Sequence, residues 1–409
     1  MRLLIVSQHF WPESFRINEV AAALVAQGVE LTVLTGQPNY PEGQVFSGYR
    51  AFNWGCERHA DGYDIVRVPL SPRGPAGRGA ARRLVLNYLS FIASASLFGP
   101  WLLRGRRFDT VFVYATSPIL QALPALWLGW LQRAAVVTWV QDLWPASLQI
   151  TGYVRNARLL AAVAAVTRFI YRRNDRLLVQ SPAFLPEVRA MAGGTPVAVH
   201  ENPGDREPAQ QVALPEALRP QAGRFNLVFA GNLGTVQALE TVLDAAELAG
   251  PGLLWWLVGS GARSAWLAEQ VAQRGLQDRV RLPGRFEAAC MPALFAAADA
   301  LLVTLNRAPA LAQVVPSKMQ AYLAAGRPIL ASLDGEGERV LREADAGLAV
   351  PAEDAQQLAA AALRLSAMPA AERERLGGNG RRYFDTHYEP MESARQLLEQ
   401  LREAVKTLK

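Results

Sequence analysis

The chain has 409 residues, 51% of them hydrophobic, with 26 prolines and 32 glycines spread along its length, which excludes a disordered chain and favours two domains over one. The two cysteines, Cys56 and Cys290, lie far apart, which excludes a disulfide framework or a Cys/His zinc module and fits a reducing cytosol. The net charge of +6 belongs to the first half: residues 1–205 hold 20 arginines against 13 acids, residues 206–409 hold 22 basic residues against 23 acids. That half is expected to face something anionic, and with no zinc finger, RNP-like strand or basic-region helix the expectation is a membrane surface or phosphorylated lipid, with no nucleic acid.

In chain order, the N-terminal run MRLLIVSQHF is too short for a signal peptide and reads as a strand over 3–7. A helix over 17–28 stopped by Gly28 follows, then strands over 29–36, 63–70, 108–115, 134–141 and 175–181 with helices between them. This alternation predicts a parallel sheet covered on both faces. The stretch 203–224, rich in Pro and Gln, reads as a linker. Alternation restarts with a strand over 225–231, a helix over 238–249, strands over 253–259 and 298–305, and a mostly helical end. Two doubly wound domains are expected, with ligands at the carboxyl ends of their strands and the site in the cleft between them.

One segment stands apart. Residues 84–103, LVLNYLSFIASASLFGPWLL, contain no charge, are flanked by arginines on both sides and are interrupted by Gly99-Pro100. The length suits a bilayer span. The next strand of the same sheet argues instead for a helix embedded in a membrane surface, its flanking arginines on anionic head groups, or for a buried core helix.

Lys318 is the single lysine before Lys406. It stands in VVPSKMQAYLAAG at a predicted helix start, with Ser317 as N-cap and Gly326 closing the end. A cation in the first turn opposes the helix dipole, but it suits a phosphate held by the free N–H groups there. The segment FAGNLGTVQALE (229–240) is a strand end, a Gly-x-x-Gly turn and a helix. Gly231 and Gly234 allow an anion close to the backbone. The Gly-x-Gly of VGSGARSA mimics a dinucleotide fingerprint, but the next strand lacks the acidic residue that would hold a ribose, so NAD is not expected.

The stretches SQHFWPESFRINEVAAALVAQGVELTVLTGQPNYPEG, QDLWP, AGNLGTVQALE and VPSKMQAYLAAGRPILASLDGEGE together resemble the retaining glycosyltransferases of family 4 with the GT-B fold, in a colanic-acid and O-antigen subgroup of the N-acetylfucosamine transferase type. The resemblance covers essentially the whole chain. It implies an α/β protein of two Rossmann-like domains facing across a cleft: 1–203 on the acceptor and membrane side, a linker over 204–224, 225–385 for the nucleotide sugar, and a helix over 386–409 packing back on the first domain. It also implies a UDP-sugar donor with no separate cofactor. The acceptor would be a polyprenyl-diphosphate-linked sugar, met at the cytoplasmic face of the bacterial inner membrane.

Carried over residue by residue, the donor side would comprise Gly231, Asn232, Leu233, Gly234, Arg263, Arg285, Phe286, Ser317, Gln320 and Glu336. The acceptor side would comprise Glu13, Arg16, Asn18, Asn39 and Tyr40, with Arg16 near a lipid diphosphate. The chain departs from the family: its usual pair of glutamates is Gln313 and Ala321 here, and the usual Arg and Lys of the glycine-rich turn are Asn232 and Gln237. Lys318 is therefore left as the principal phosphate cation, helped by Arg263 or Arg285, while Glu336 or Gln320 takes over a sugar or ribose hydroxyl.

Retaining transfer by front-face departure needs the leaving diphosphate stabilised and lets a phosphate oxygen take the acceptor's proton, so no pair of close carboxylates is required. Asp142, at the strand end in VVTWVQDLWP, is the candidate for orienting the acceptor hydroxyl. No Asp-x-Asp stands at a strand end and the four histidines are scattered, so no metal requirement is expected. The competing expectations are a sugar-nucleotide epimerase or hydrolase with the same cleft, and a non-catalytic protein that binds a lipid-linked sugar. The missing glutamate pair favours the second of these.

Overall fold

The computed structural model describes all residues except 76, 78, 151–155, 206–211, 408 and 409. It divides into two compact units, Met1–Pro203 with Pro390–Lys409, and Gly204–Glu389.

The first unit runs β1 (Arg2–Val6), α1 (Ile17–Ala26), β2 (Glu30–Thr35), β3 (Gly55–Arg58), β4 (Asp64–Arg67), α2 (Ala80–Leu102), β5 (Thr110–Ala115), α3 (Ala122–Gln132), β6 (Ala135–Val140), α4 (Ala146–Ile150), α5 (Ala157–Arg172), β7 (Arg176–Val179), α6 (Leu185–Ala192) and β8 (Val197–Val199). Their sheet has the order β3-β4-β2-β1-β5-β6-β7-β8, parallel except for the edge hairpin β3–β4. The central strands are mostly apolar and, apart from Arg2, buried on both faces, as a covered parallel sheet demands.

The second unit runs β9 (Phe225–Asn232), α7 (Leu239–Ala249), β10 (Leu253–Ser260), α8 (Ser264–Gln273), β11 (Val280–Gly284), α9 (Met291–Ala297), β12 (Ala300–Thr304), α10 (Pro309–Ala312), α11 (Ser317–Ala324), β13 (Ile329–Ser332), α12 (Glu336–Ala344), β14 (Gly347–Val350), α13 (Ala355–Ala367) and α14 (Ala370–His387). Its sheet, β11-β10-β9-β12-β13-β14, is parallel throughout. In both sheets the order reverses beside the first strand, β1 or β9, which is the switch point where doubly wound sheets open a crevice at their carboxyl edge.

The last helix, α15 (Pro390–Thr407), belongs to the first unit. Its Leu397, Leu398 and Leu401 share a core with Ile17, Val20 and Leu24 of α1.

Three expectations need correction. Residues 212–224 of the predicted linker are part of the second unit: a short 3₁₀ turn, Glu216–Leu218, seats Leu218 fully buried in its core, and Asn226 accepts from the Gln221 N–H at 3.0 Å. The remainder of that stretch, 206–211, lies outside the described residues. Gly99-Pro100 does not interrupt the apolar helix, which is continuous from Ala80 to Leu102. Ser317 is the first residue of α11 and not its cap; Pro316 stands in the cap position and no side chain caps the helix.

Candidate active site

In the second unit, the carboxyl ends of β9 and β10 are pressed together by glycines. Gly231 and Gly259 are register partners with φ of +142° each, and a Cβ on Gly259 would stand 1.8 Å from the Gly231 carbonyl oxygen. A Cβ on Gly261 would meet the Asn232 side chain and the Leu233 carbonyl at 2.5 Å, so the turns after β9 and β10 interlock through Asn232. Beyond β9 the loop to α7 is pinned by the end of β12. Asn306 Oδ1 accepts the Ala238 N–H at 2.8 Å, Asn306 Nδ2 donates to the Thr235 carbonyl at 3.0 Å, and Thr304 Oγ1 donates to the Gln237 carbonyl at 2.6 Å.

Lys318 reaches into this glycine turn from α11. Its Nζ donates to Gln237 Oε1 at 2.6 Å and stands 3.7 Å from the centre of the Phe229 ring; a Cβ on Gly231 would lie 2.5 Å from its Cε. Both partners are formally uncharged, and burial pulls the ammonium from an ordinary lysine's 10.5 down to about 7. Among the described residues this cation has no ion-pair partner, a costly state for a buried charge. One turn further along the same helix face, Tyr322 is buried, and its hydroxyl accepts the Ala230 N–H at 2.8 Å. The bond has a topological cause: β12 pairs with β9 only over Leu227 and Val228, so the next β9 groups on that side need another partner. Tyr322 thus fixes α11, and Lys318 with it, against the residue preceding Gly231.

The other predicted donor residues divide. Gly234 is buried, and a Cβ on it would meet Asn232 Nδ2 at 2.7 Å. Leu233 is buried in the core and offers only backbone, its carbonyl accepting the Arg263 N–H at 3.0 Å. Arg263 is not a free phosphate cation: its guanidinium is paired with Glu240 and lies 3.7 Å over Trp266. Arg285 follows β11 at the same sheet edge, exposed and without an ion pair among the described residues, and Phe286 beside it is half-buried against the second core. Ser317 is exposed at the start of α11, and Gln320 is buried on it. Glu336 opens α12, buried and bonded to Arg339 Nε at 2.7 Å, so that carboxylate is already engaged.

In the first unit, Glu13 does not line a surface. It is 2% exposed and its carboxylate accepts the backbone N–H groups of Asn39 (2.7 Å), Tyr40 (2.6 Å) and Phe10 (3.2 Å). His9 Nδ1 lies 3.0 Å from the same carboxylate, which can only accept, so Nδ1 carries the proton. His9 Nε2 makes no hydrogen bond among the described residues, and the ring is held between Phe15 and Tyr40. Asn18 and Asn39 are likewise spent on backbone: Asn18 accepts the Trp11 N–H and donates to the Glu13 carbonyl, and Asn39 donates to the Gln37 carbonyl and accepts the Arg73 N–H. Tyr40 is exposed on one side, with the Arg73 guanidinium 5.0 Å from its ring centre.

Asp142 follows β6. Its Oδ2 accepts from Ser117 N–H at 2.9 Å and Ser117 Oγ at 2.8 Å, leaving Oδ1 without a hydrogen bond among the described residues. Burial pushes the Tyr114 phenol up to about 12, with Arg16 acting to lower it and Asp142 to raise it, so a cation and a carboxylate both lie within electrostatic reach of that ring. His9, Tyr322 and Asn306 were not singled out by sequence. The one signal was His9 four residues before Glu13 at a strand end.

Comparison with known proteins joins the two halves. Residues 14–205 match the family model described as glycosyl transferase 4-like domain, and residues 224–368 match glycosyl transferases group 1. Both halves thus match glycosyltransferase domain models, and the fold is the GT-B fold. This glycosyltransferase is 29% identical over 343 residues to WcaI of Escherichia coli (strain K12), provisionally assigned as a colanic acid biosynthesis glycosyl transferase; the match covers 80% of this chain and 82% of WcaI. In fold it is similar to sucrose-phosphate synthase from Thermosynechococcus elongatus (TM-score 0.66, 19% identity, 99% of each chain). It is equally similar to Anabaena HepE, solved in complex with UDP (TM-score 0.66, 14% identity, 98% of this chain and 100% of that one).

Proposed function

We propose that this glycosyltransferase moves a sugar, N-acetylfucosamine or a related N-acetyl deoxysugar, from a UDP-sugar to a polyprenyl-diphosphate-linked saccharide, with retention, in bacterial surface polysaccharide synthesis at the cytoplasmic face of the inner membrane. The observation that carries the reading is Lys318: a buried ammonium beside a glycine turn, with uncharged partners and a pKa drawn down to about 7. A diphosphate there supplies the missing counter-charge, and its growing negative charge in the transition state is what the ammonium stabilises. The UDP in the HepE complex and the assignment of WcaI to colanic acid support the donor class and the pathway class.

In this reading the glycine turn lets the diphosphate approach the backbone, and the exposed Arg285 adds a second cation. Because a lysine does the neutralising, no divalent metal is required. On the acceptor side, His9 Nε2 and Asp142 Oδ1, neither hydrogen-bonded among the described residues, would hold an acceptor hydroxyl, and Arg16 would face the lipid diphosphate. The departing phosphate oxygen takes the hydroxyl proton as the new glycosidic bond forms on the face the leaving group vacates.

The test is incubation with a set of UDP-sugars and short-chain lipid-diphosphate saccharides, with product anomeric configuration read by NMR and a chelator in one arm. Product with the donor's configuration, unaffected by chelator and abolished in Lys318→Ala, is expected. Free sugar alone would make the protein a hydrolase, and tight binding without turnover would make it a carrier of lipid-linked sugar.

A further inference from the structure

We infer that the α2–α3–α5 layer of the first unit is a docking face for an anionic bilayer, with the helices lying in the plane of the interface and none crossing it. Twenty large apolar side chains stand exposed among the described residues, and eleven of them are on these three helices. They include Leu97 at 74% and Trp130 at 71% exposure, values that no packing inside the unit accounts for. The three helices are neighbours: α2 packs on α3, and α3 on α5. Trp127 and Trp130 stack at 5.2 Å on the outer face of α3, an amphipathic pair of the kind found at membrane–water boundaries.

The charge pattern chooses the occupant. The three helices contain five arginines and no acidic residue. Just past their ends stand Arg104, Arg107 and Arg133, exposed and without an ion pair among the described residues; Arg168 and Arg172 on α5 are in the same condition. The opposite layer is mixed in charge: α1 carries Glu19, and α15 carries Glu392, Glu399 and Glu403 alongside Arg395, Arg402 and Lys406, with Arg395 paired to Glu392 and Glu399. Apolar surface bordered by unpaired guanidinium groups complements acyl chains beneath anionic head groups. It opposes a second copy of the same face, because like charges would meet across any two-fold contact.

The helix α2 is long and apolar enough to cross a bilayer by length and composition. It is nevertheless tied to the sheet by one stripe, Asn87, Phe91, Ala95 and Gly99, all buried. Asn87 accepts from Gln8 Nε2 at 2.7 Å and donates to the Ser71 carbonyl at 2.7 Å, and Gly99 brings the helix against Leu34 and Leu128. Immediately after α2 the chain enters β5, hydrogen-bonded between β1 and β6. A span would strip that stripe from the sheet, so the helix is held flat with its other faces turned outward.

This inference extends the proposed lipid-linked acceptor, and its test contains no sugar. The full chain is floated with vesicles of phosphatidylcholine alone and with phosphatidylglycerol added, at low and high salt. Binding is expected only to the anionic vesicles, reversed by salt and by alkaline extraction, with tryptophan fluorescence quenched by brominated lipid. Trp127→Ser with Trp130→Ser, and separately Arg104→Gln with Arg107→Gln and Arg133→Gln, should each weaken vesicle partitioning about tenfold with an unchanged thermal midpoint. Absence of binding, equal binding to neutral vesicles, or binding unmoved by both sets of variants overturns the inference. So does resistance to alkaline extraction, which would mean a span, or dimerisation that the tryptophan variant abolishes. Turnover of a short-chain acceptor on the same samples keeps the two ideas apart: turnover without vesicle binding overturns only the docking face, and vesicle binding without turnover overturns only the proposed reaction.

Discussion

Lys318→Met separates a phosphate-binding role from a structural one. Burial holds the ammonium near 7 instead of 10.5, a difference worth about 5 kcal/mol at 1.36 kcal/mol per unit, or nearer 2 kcal/mol once residual solvent at its part-buried tip is allowed for. The folded value lies below the unfolded one, so the unfolded chain binds the proton more tightly. Stability of the ligand-free protein therefore rises with pH from about 7 to 10.5, and the full cost is present at and below about 7. Methionine occupies similar volume without charge, and it is expected to raise the ligand-free thermal midpoint of the second unit at pH 7 by about 4 °C or more. The same substitution should weaken UDP-sugar binding by roughly 10- to 100-fold, the range for one charge-assisted bond. In the unsubstituted protein, binding above about pH 7 must take up a proton, which calorimetry in buffers of different ionisation heat measures directly. A variant that is destabilised, or that binds UDP-sugar as tightly with the same pH profile, would refute the reasoning.

Four further outcomes follow from the same geometry. His9→Ala should lower kcat by about 100-fold while UDP-sugar affinity measured by calorimetry stays put, and an unchanged kcat would remove His9 from the acceptor site. Tyr322→Phe leaves the buried Ala230 N–H without its 2.8 Å partner; a loss of about 1–3 kcal/mol in urea unfolding and a weaker UDP-sugar Kd are expected, and a neutral result would mean the hydroxyl does not fix α11. Gly259→Ala puts a Cβ 1.8 Å from the Gly231 carbonyl at a φ of +142°, and should cost roughly 3 kcal/mol or more and abolish donor binding; soluble, fully active protein would contradict the close approach. Burial lowers His200 to about 4, so the unfolded chain takes its proton first as pH falls from 6.5 towards 4 and up to about 3 kcal/mol of stability is lost. His200→Phe should flatten that acid limb in urea titrations.

Much of the architecture was legible because the buried parallel strands are predominantly apolar runs and each helix between them carries its own period. The strands β3, β8 and β14 escaped notice: they are short, none of their residues is buried, and they lie at sheet edges, where side-chain pattern carries little information. Gly99-Pro100 looked like a break because a proline removes one helical hydrogen bond, yet Pro100 falls in the last turn of a helix that runs on to Leu102, with Gly99 buried close to Leu34 and Leu128. The glycine turn after β9 and Lys318 were readable because each is a local motif with unusual chemistry. Tyr322 and Asn306 were not, since their partners lie 92 and about 70 residues away and neither residue type signals its role. Glu13 pointed to the right neighbourhood but not to its own part in it. As a buried carboxylate collecting three backbone donors it organises the loop and holds His9, itself buried, whose Nε2 is the ring nitrogen left without a hydrogen bond among the described residues.

The membership of α15 in the first unit makes the second unit an insertion between Pro203 and Pro390. During synthesis the inserted unit has all its strands in hand while α1 still shows the ribosome-side solvent an uncovered row of Ile17, Val20 and Leu24. The inserted unit can therefore mature first, and the first unit is sealed only when translation delivers the final helix, so a nonsense codon near position 390 would leave a complete second unit tethered to an unsealed first one.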